Sequence, residues 1–456
     1  APSVELDIAA KYIALEAERI GLKPLMPGGS YYQDVPVEVT SMSPAKSYLR
    51  LVAGGSEVKF YFPQAFTTSY RAAGGEWAAA GGLAFAGTAL NAAPVDEKAF
   101  EGIDLRGKFV VMLEAPRPAG GGGQPGMAAA AQRTQFLRTR GAIGTITIIG
   151  TEREANLAKA NLWFDVAERY RWLDVDTANP PAVPAAKPAA GAAGGGQRGA
   201  AASGIAPPAP FYTVDVRHET GAKLLGVDGD ELGRMFAALE KGQPLRPMDL
   251  TGQSVEVAVG FDKRRTTSPN VVAWLPGSDP KLKDEYITIS GHHDHLSPRE
   301  GRIYPGADDN MSACVAMLAI GKALMVERPK RSVIFVWNTA EERGLIGSYY
   351  FVQHCPVPVE RISANLNLDM ITRNDPNSLY LIGSNKLSSE FDKSINAMND
   401  RYIRMKMDYK YEDPGEPNRF FFRSDQYPYI RYGIPGVWFF CGTTPDYHTE
   451  RDVEEL

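Results

Sequence analysis

The stretch "SVIFVWNTAEERGLIGS", residues 332–348, predicts the centre of the fold. Its first half is apolar and rich in β-branched and aromatic side chains, which is typical of a strand buried on both faces. Glu341 and Glu342 stand side by side just after this strand. Such a pair is commonly the solvated start of a helix, where glutamate interacts favourably with the helix dipole. A second reading is that both carboxylates serve a site, and the rest of the chain decides between the two.

Composition excludes several classes of protein. The chain has 456 residues, of which 44% are hydrophobic, enough for a large core. A net charge of −5 gives no basic surface, so nucleic acid is not an expected partner. No apolar run approaches the ~18 residues that a membrane span needs. Three cysteines argue against a disulfide framework.

The first residues, "APSVEL", lack a methionine. This start fits a secreted or periplasmic protein whose signal peptide has been removed, and it fits a trimmed chain equally well. Residues 4–24 have the apolar spacing of an amphipathic helix that ends at Gly21.

Two low-complexity tracts, at about 118–131 and 177–210, are predicted to be mobile loops. Each contains a formal G-x-G-x-x-G, at 121–126 and 194–199. No predicted strand leads into either motif, so neither is interpreted as a nucleotide site.

After about residue 250, short apolar runs of strand length alternate with helical stretches such as 311–325 and 343–354. The runs are "NVVAWLPG", "EYITISG", "RSVIFVWN", "ANLNLDMI", "SLYLIG" and "GVWFFCG". This alternation predicts an α/β fold with a mixed, mostly parallel central sheet sandwiched by helices. In such sheets the functional site lies beyond the carboxyl ends of the strands.

Histidines and carboxylates follow four of these strands and occupy one loop between them. The polar residues at these points are His292, His293, Asp294, His295, Asp308, Asp309, Glu341, Glu342, Asp369, Tyr447 and His448. Taken singly, each is more often a loop or core residue, and His293 and His295 are interpreted as flanking a ligand. Four of the six histidines of the chain fall in these segments, which chance clustering explains poorly.

Histidine and carboxylate ligands without cysteine suit zinc or a similar divalent ion. Five candidate ligand positions exceed the needs of one tetrahedral ion. They fit two ions that share a bridging carboxylate and lie about 3.5–4 Å apart.

The ordered set "SGHHDHL…GADDN…NTAEERGLIGS…NLDMI…PDYHTERD" resembles the zinc exopeptidases related to bacterial leucyl aminopeptidases and glutamate carboxypeptidase II. The similarity covers the first helix and about 250–456. It implies two Zn²⁺ per chain, the dizinc exopeptidase fold and a set of five ligands. These ligands are His292 and Asp369 on one ion, Glu342 and His448 on the other, and Asp308 between them.

The resemblance also implies roles for residues beside the ligands. Glu341 is expected to be the general base, so that one glutamate of the pair binds metal while the other remains free to accept a proton. Asp294 is expected to hold the far nitrogen of His292 and fix its tautomer. Tyr447 is expected to donate to the oxyanion, with ordinary packing as the alternative. Relatives have a cis peptide at this loop, which places one between Asp308 and Asp309.

The middle of the chain, "FEGIDLRGKFVVMLEAPRP" followed by "RTQFLRTRGAIGTITI", resembles a protease-associated domain. This implies a discontinuous catalytic domain, residues 1–62 and 246–456, with an inserted, mainly β domain at 63–245. Such an insert is expected to narrow access to the site.

The function predicted from these motifs is that of a dizinc aminopeptidase acting on peptides. Alternatives are a carboxypeptidase of the glutamate-releasing type and a glutaminyl cyclase, which needs only one metal. A different class is a binding protein like the transferrin receptor, which would show lost ligands. Serine hydrolysis is disfavoured because the chain has no G-x-S-x-G. The preferred N-terminal residue and the oligomeric state stay open.

Overall fold

The computed structural model describes residues 2–68, 76–91, 95–115, 124–159, 164, 168–173, 210–298 and 301–455. Of the two tracts predicted to be loops, 177–209 and 118–123 lie outside these ranges, as does the motif at 194–199. Residues 124–131 are helical rather than a loop, because the alanine-rich end of that tract favours helix.

Helices flank two sheets in the described residues. In chain order they are α1 (Val4–Arg19), α2 (Gln124–Thr139), α3 (Thr151–Lys159), α4 (His218–Leu225), α5 (Gly229–Glu240), α6 (Ser312–Val326), α7 (Ile346–Gln353), α8 (Ser389–Met398) and α9 (Gln426–Arg431).

The strands of both sheets are named in chain order. They are β1 (Lys23–Pro24), β2 (Tyr32–Met42), β3 (Tyr48–Ala53), β4 (Ser56–Tyr61), β5 (Phe66–Thr68), β6 (Trp77–Phe85), β7 (Lys108–Leu113), β8 (Gly144–Ile148), β9 (Glu168–Trp172), β10 (Tyr212–Val216), β11 (Met248–Val259), β12 (Phe261–Leu275), β13 (Tyr286–His292), β14 (Ser332–Asn338), β15 (Ile362–Leu368), β16 (Ser378–Ile382), β17 (Lys406–Asp408) and β18 (Gly436–Phe440).

The larger sheet has ten strands in the order β17-β16-β18-β15-β13-β14-β12-β2-β9, with β1 paired to β12. Its central strands β14, β13, β15 and β18 run parallel to one another. The pairs β12–β14, β12–β2, β2–β9, β1–β12 and β16–β18 are antiparallel. The predicted mixed α/β sheet is therefore confirmed, but parallel pairing is largely confined to its centre.

Strand β14 is buried along its whole length, as its sequence predicted. Val333, Phe335 and Trp337 face one core, with α1 and α6. Ile334 and Val336 face the other, with α7 and α9. Successive side chains of a strand point to opposite faces of the sheet, so this one apolar run contributes residues to both cores.

The predicted first helix is confirmed as α1. Ser3 caps it by accepting a hydrogen bond from the Leu6 N–H, and Gly21 follows its end with φ +93°. This left-handed backbone is one that glycine adopts without strain, so it ends the helix.

The segment Ala307–Val326, which contains α6, is long and apolar enough by composition to cross a membrane, with a mean hydropathy of 1.3. Ala313, Cys314 and Met317 of this segment are buried, and Cys314 and Met317 pack in the core with α1 and β14. The apolar composition of this segment therefore partly reflects its packing in the core.

The smaller sheet has eight strands in the order β4-β3-β11-β6-β7-β8-β10-β5, with its own core. It includes β3, β4 and β11, all of which lie outside the predicted insert 63–245. Conversely, β9 lies within that range but pairs with β2 of the larger sheet. The boundaries of the two sheets therefore differ from the predicted domain boundaries, because the alternating pattern of a strand does not say which sheet it joins.

Candidate metal centre

The candidate residues lie at one edge of the larger sheet, where its parallel strands end. His292 is the last residue of β13, Asp369 follows β15, and the glutamate pair follows β14 by three residues. His448 comes from the loop after β18. Because these four strands are parallel, their carboxyl ends meet at one edge, and the prediction from the sequence is confirmed on this point.

Backbone conformation at this edge is unusual. Ala340, Met370 and His448 have φ of 53°, 55° and 57°. Ala340 precedes the glutamate pair and Met370 follows Asp369. A non-glycine residue in this left-handed region is held there by its surroundings at a cost of about 1–3 kcal/mol, and such residues cluster at functional sites.

A turn at Ala307–Met311 brings a further carboxylate to the same edge. Asp452, itself buried, holds this turn: its two carboxylate oxygens accept hydrogen bonds from the backbone N–H groups of Asp308 and Asp309, at 2.9 and 3.1 Å. The turn is therefore fixed by a residue near the end of the described chain.

The side chains form two groups of possible metal ligands. In each group one ligand atom per residue lies within 4.8 Å of the others. The first group is His292, Glu341 and Asp369, and the second is His295, Asp309, Glu342 and His448.

Asp309 links the two groups. Its Oδ1 lies 3.3 Å from His292 Nε2, and its Oδ2 lies 3.0 Å from His448 Nε2. One carboxylate thus offers an oxygen to each side, which is the arrangement that a bridging ligand requires.

The structure corrects the expectation for Asp308, which belongs to neither group. Its Oδ1 accepts hydrogen bonds from the Thr372 N–H at 3.0 Å and from the Thr372 hydroxyl at 2.7 Å. Neighbouring side chains of a turn point in different directions, so only one of two adjacent aspartates reaches the centre. The cis peptide bond also lies one residue later than expected, between Asp309 and Asn310.

His292 is held in one tautomer, but not by the predicted atom. Its Nδ1 lies 2.9 Å from the backbone carbonyl of Asp294 and 3.8 Å from the Asp294 carboxylate. A carbonyl only accepts, so Nδ1 carries the proton and Nε2 presents its lone pair to the centre. The Asp294 carboxylate instead accepts a hydrogen bond of 2.9 Å from the Glu341 N–H, which fixes the start of the glutamate pair.

The two glutamates have different surroundings. Burial raises the pKa of Glu341 well above its usual value. Burial also opposes ionisation of Glu342, but the close approach of the His295 and His448 rings outweighs it and lowers the pKa of Glu342 to about 2. The Oε1 of Glu342 lies 3.0 Å from His448 Nε2, whereas Glu341 comes no closer than 3.9 Å to His292.

The pKa values of two histidines, His292 and His448, are raised by carboxylates of this centre. Burial disfavours the charged form of His448, yet the nearby carboxylates of Asp309 and Glu342 outweigh it and raise the pKa of His448 to about 9. Nearby carboxylates likewise outweigh burial at His292 and raise its pKa. The centre therefore favours positive charge, which either protons or a metal ion can supply.

A small pocket opens beside the two groups. It is lined by Asp309, Glu341, Glu342, Asp369, Met370, Phe420, Arg423, Trp438 and Tyr447. Tyr447 stacks on His448 with ring centroids 3.8 Å apart, and its hydroxyl accepts a hydrogen bond of 3.0 Å from Arg423. Because a guanidinium only donates, the Tyr447 O–H remains free to donate into the pocket.

The donor set fits divalent ions such as zinc. Several buried ligand atoms lack any hydrogen-bond partner: His292 Nε2, Asp369 Oδ1, Glu342 Oε1 and His448 Nε2. Buried polar atoms without partners are costly, and four buried or nearly buried carboxylates in one place repel each other. Imidazole nitrogen and carboxylate oxygen are ligands that zinc accepts.

Sequence reasoning missed several residues of this centre. Asp309 was set aside in favour of Asp308, and His295 was interpreted as a flanking residue. Ser424, which donates a 2.5 Å hydrogen bond to Asp369 Oδ2, and Asp452 carried no local signal, because each acts across a long separation in the chain. The second histidine of "HDH" was the one signal available in the sequence for His295.

Residues 270–455 match the model of a family described as peptidase family M28. Among curated proteins, the chain is 34% identical over 209 residues to a probable leucine aminopeptidase 2 of Aspergillus oryzae, covering 45% of this chain and 40% of that protein. It is 31% identical over 229 residues to the counterpart in Aspergillus fumigatus, covering 48% and 44%. The chain thus spans less than half the length of these relatives.

Among solved structures, the chain is similar to an aminopeptidase from Aneurinibacillus sp. strain AM-1, with a TM-score of 0.47, 18% identity, and coverage of 99% of this chain and 84% of that one. A zinc aminopeptidase from Bacillus subtilis has the same TM-score at 16% identity. Structural similarity at these TM-scores and identities does not establish a function. The family match and the curated relatives confirm the resemblance to zinc exopeptidases.

Proposed function

We propose that the protein is a two-zinc aminopeptidase that removes N-terminal residues from peptides, because residues 270–455 match the model of peptidase family M28. One observation carries the proposal: the carboxylate of Asp309 lies between two groups of histidine and carboxylate side chains, with one oxygen near His292 and the other near His448.

The two ions are assigned ligands from these groups. His292 and Asp369 would hold one ion, Glu342 and His448 would hold the other, and Asp309 offers an oxygen to each. A pair of such ions lowers the pKa of a water molecule and polarises the carbonyl that the water attacks. Ser424 orients Asp369 by hydrogen bonding to its second oxygen.

Glu341 is assigned the role of general base. Its carboxylate lines the pocket, and it lies farther from the histidines than Glu342 does. A base must stand next to the attacking water without being consumed as a ligand. Adjacent glutamates after a strand meet this need because their side chains point in different directions.

The pocket supports a peptide with a free amino terminus. Glu341 and Asp369 place negative charge where an α-amine would be held. Met370, Phe420 and Trp438 offer an apolar wall, which suits an apolar first side chain. The Tyr447 hydroxyl is placed to donate a hydrogen bond to the oxygen of the attacked carbonyl.

The eight-stranded unit is proposed to act as a protease-associated domain that limits access to the pocket. Its neighbouring helix α3 contributes Glu152, which lies 3.7 Å from Arg302, and Arg302 in turn lies 3.9 Å from Glu450, two residues after His448. A secreted or periplasmic location remains part of the proposal.

The experiment compares peptides that differ only at the amino terminus. A leucyl peptide and its N-acetyl form are incubated with zinc-loaded protein, and the released leucine is measured. Acetylation removes the positive charge, so turnover is expected to fall sharply. Equal cleavage of both peptides, or release of C-terminal residues instead, contradicts the aminopeptidase.

A further inference from the structure

His295 occupies the second ligand group although its position in the sequence suggested a flanking residue. It lies three residues after β13 ends, and its side chain is only 10% exposed. Its Nδ1 is 3.1 Å from Glu342 Oε1 and 3.8 Å from Asp309 Oδ2. Its ring meets that of His448 edge to face, with centroids 5.5 Å apart.

Neither nitrogen of the His295 ring makes a hydrogen bond of acceptable geometry. The approach to Glu342 is close but poorly aligned, so hydrogen bonding does not account for the position of the ring. A buried imidazole without partners is costly, which calls for a further ligand or partner at this point.

The space for this ring depends on Gly306. A Cβ at residue 306 would lie 2.6 Å from His295 Cγ, far inside contact distance. Gly306 also has φ +68°, which glycine adopts without strain. The same glycine therefore admits the ring and starts the turn that carries Asp309.

We propose that His295 is an additional protein ligand of the ion held by Asp309, Glu342 and His448. This inference rests on the proposed two-metal function. It gives one ion two imidazoles and two carboxylates, whereas the other has His292, Asp369 and the shared Asp309. The two ions therefore differ in affinity, and the ion beside His295 is the more tightly held.

The first test measures zinc binding by metal-free protein in competition with a chromogenic chelator. The variants are His295→Ala and, as a matched control, His354→Gln; His354 is an exposed histidine whose ring stacks on Tyr350. Loss of His295 is expected to weaken the tighter of two zinc equivalents by at least about tenfold, with the other unchanged. His354→Gln is expected to match the wild type in both.

A second measurement needs no variant and so does not depend on the folding of one. Protein labelled with ¹⁵N-histidine is loaded with Co²⁺, and the paramagnetically shifted ring signals are counted. Three ligand histidines are expected: His292, His295 and His448. Two shifted rings overturn the proposal.

The outcomes distinguish failure of the His295 proposal from failure of the two-metal proposal. Two tight zinc sites that are unaffected by His295→Ala overturn the role of His295 and leave the two-metal proposal standing. One site that weakens on loss of His295 supports the ligand and contradicts the bridged pair. A wild type that binds no zinc overturns both.

Discussion

At the scale of single residues, adjacent side chains of the same type have different contacts in this centre, although the sequence gives no sign of the difference. Asp308 turns to Thr372 while Asp309 lies between two ligand groups. Glu341 and Glu342 differ in the same way, because only Glu342 contacts His448. Asp452 fixes the backbone of the aspartate pair, and Asp294 fixes the backbone of the glutamate pair. In both pairs the backbone therefore determines which carboxylate faces the histidines.

The aspartate pair gives the first prediction. Asp309→Asn removes the charge shared by both ligand groups, so zinc content is expected to fall by up to two equivalents and turnover to be lost. Asp308→Asn is the matched control, since an amide oxygen still accepts from Thr372, and zinc content is expected to stay near that of the wild type. Elemental analysis of both variants measures this, and the reverse result would restore Asp308 as the bridge.

The glutamate pair gives the second prediction. Glu341→Gln keeps the volume but cannot accept a proton, so kcat is expected to fall by about 10²–10⁴-fold with both ions retained. Glu342→Gln weakens a charged ligand, so one ion is held loosely and excess zinc partly restores turnover. Metal content and kcat are measured across a zinc titration. Zinc rescue of Glu341→Gln, together with metal loss, would show that the two roles are exchanged.

At the scale of elements, the sequence predicts where the strands of the site end, but it does not predict which sheet each strand joins. The apolar run of β14 predicts a buried strand, and all seven of its residues are buried. The polar residues that follow it indicate the site. Strands β3 and β11 have ordinary alternating patterns, and nothing local says that they pair with each other in a second sheet. Likewise, the choice of Asp309 over Asp308 depends on Asp452, more than 140 residues away, which no local pattern reveals.

The docking of α7 behind the glutamate pair gives the third prediction. A Cβ on Gly347 would lie 2.4 Å from the Thr339 carbonyl oxygen and 2.3 Å from Asn270 Oδ1. Gly347→Ala is therefore expected to lower the free energy of unfolding by about 1–3 kcal/mol, as overpacking does. It is also expected to reduce turnover, because Thr339 leads into Glu341.

Gly233 in α5 is the matched control for this substitution. No heavy atom lies within 4 Å of its added Cβ. Gly233→Ala is expected to stabilise the protein by up to about 1 kcal/mol, since alanine favours helix. Thermal unfolding of both variants measures the difference, and a Gly347→Ala protein as stable as the wild type would contradict the close packing.

At the scale of the whole molecule, the candidate metal ligands among the described residues lie beside the ten-stranded sheet. His292, Asp369 and the glutamate pair all follow strands of the ten-stranded sheet, and the eight-stranded sheet has a separate core. The two sheets nevertheless adjoin along the chain, because β11 and β12 are separated by one residue. Metal binding is therefore expected to stabilise the two cores unequally.

The last prediction follows from this asymmetry. A ligand that binds only the folded state stabilises it by about 2.7 kcal/mol when its free concentration is a hundred times Kd. Chelation of zinc is therefore expected to lower one calorimetric transition by roughly 5–11 °C, at 2–4 °C per kcal/mol, and to leave a second transition unmoved. Asp309→Asn is the control, since its transitions should not respond to the chelator. A single transition that moves as a whole would mean that the two sheets unfold together, with the one-residue connection between β11 and β12 coupling them.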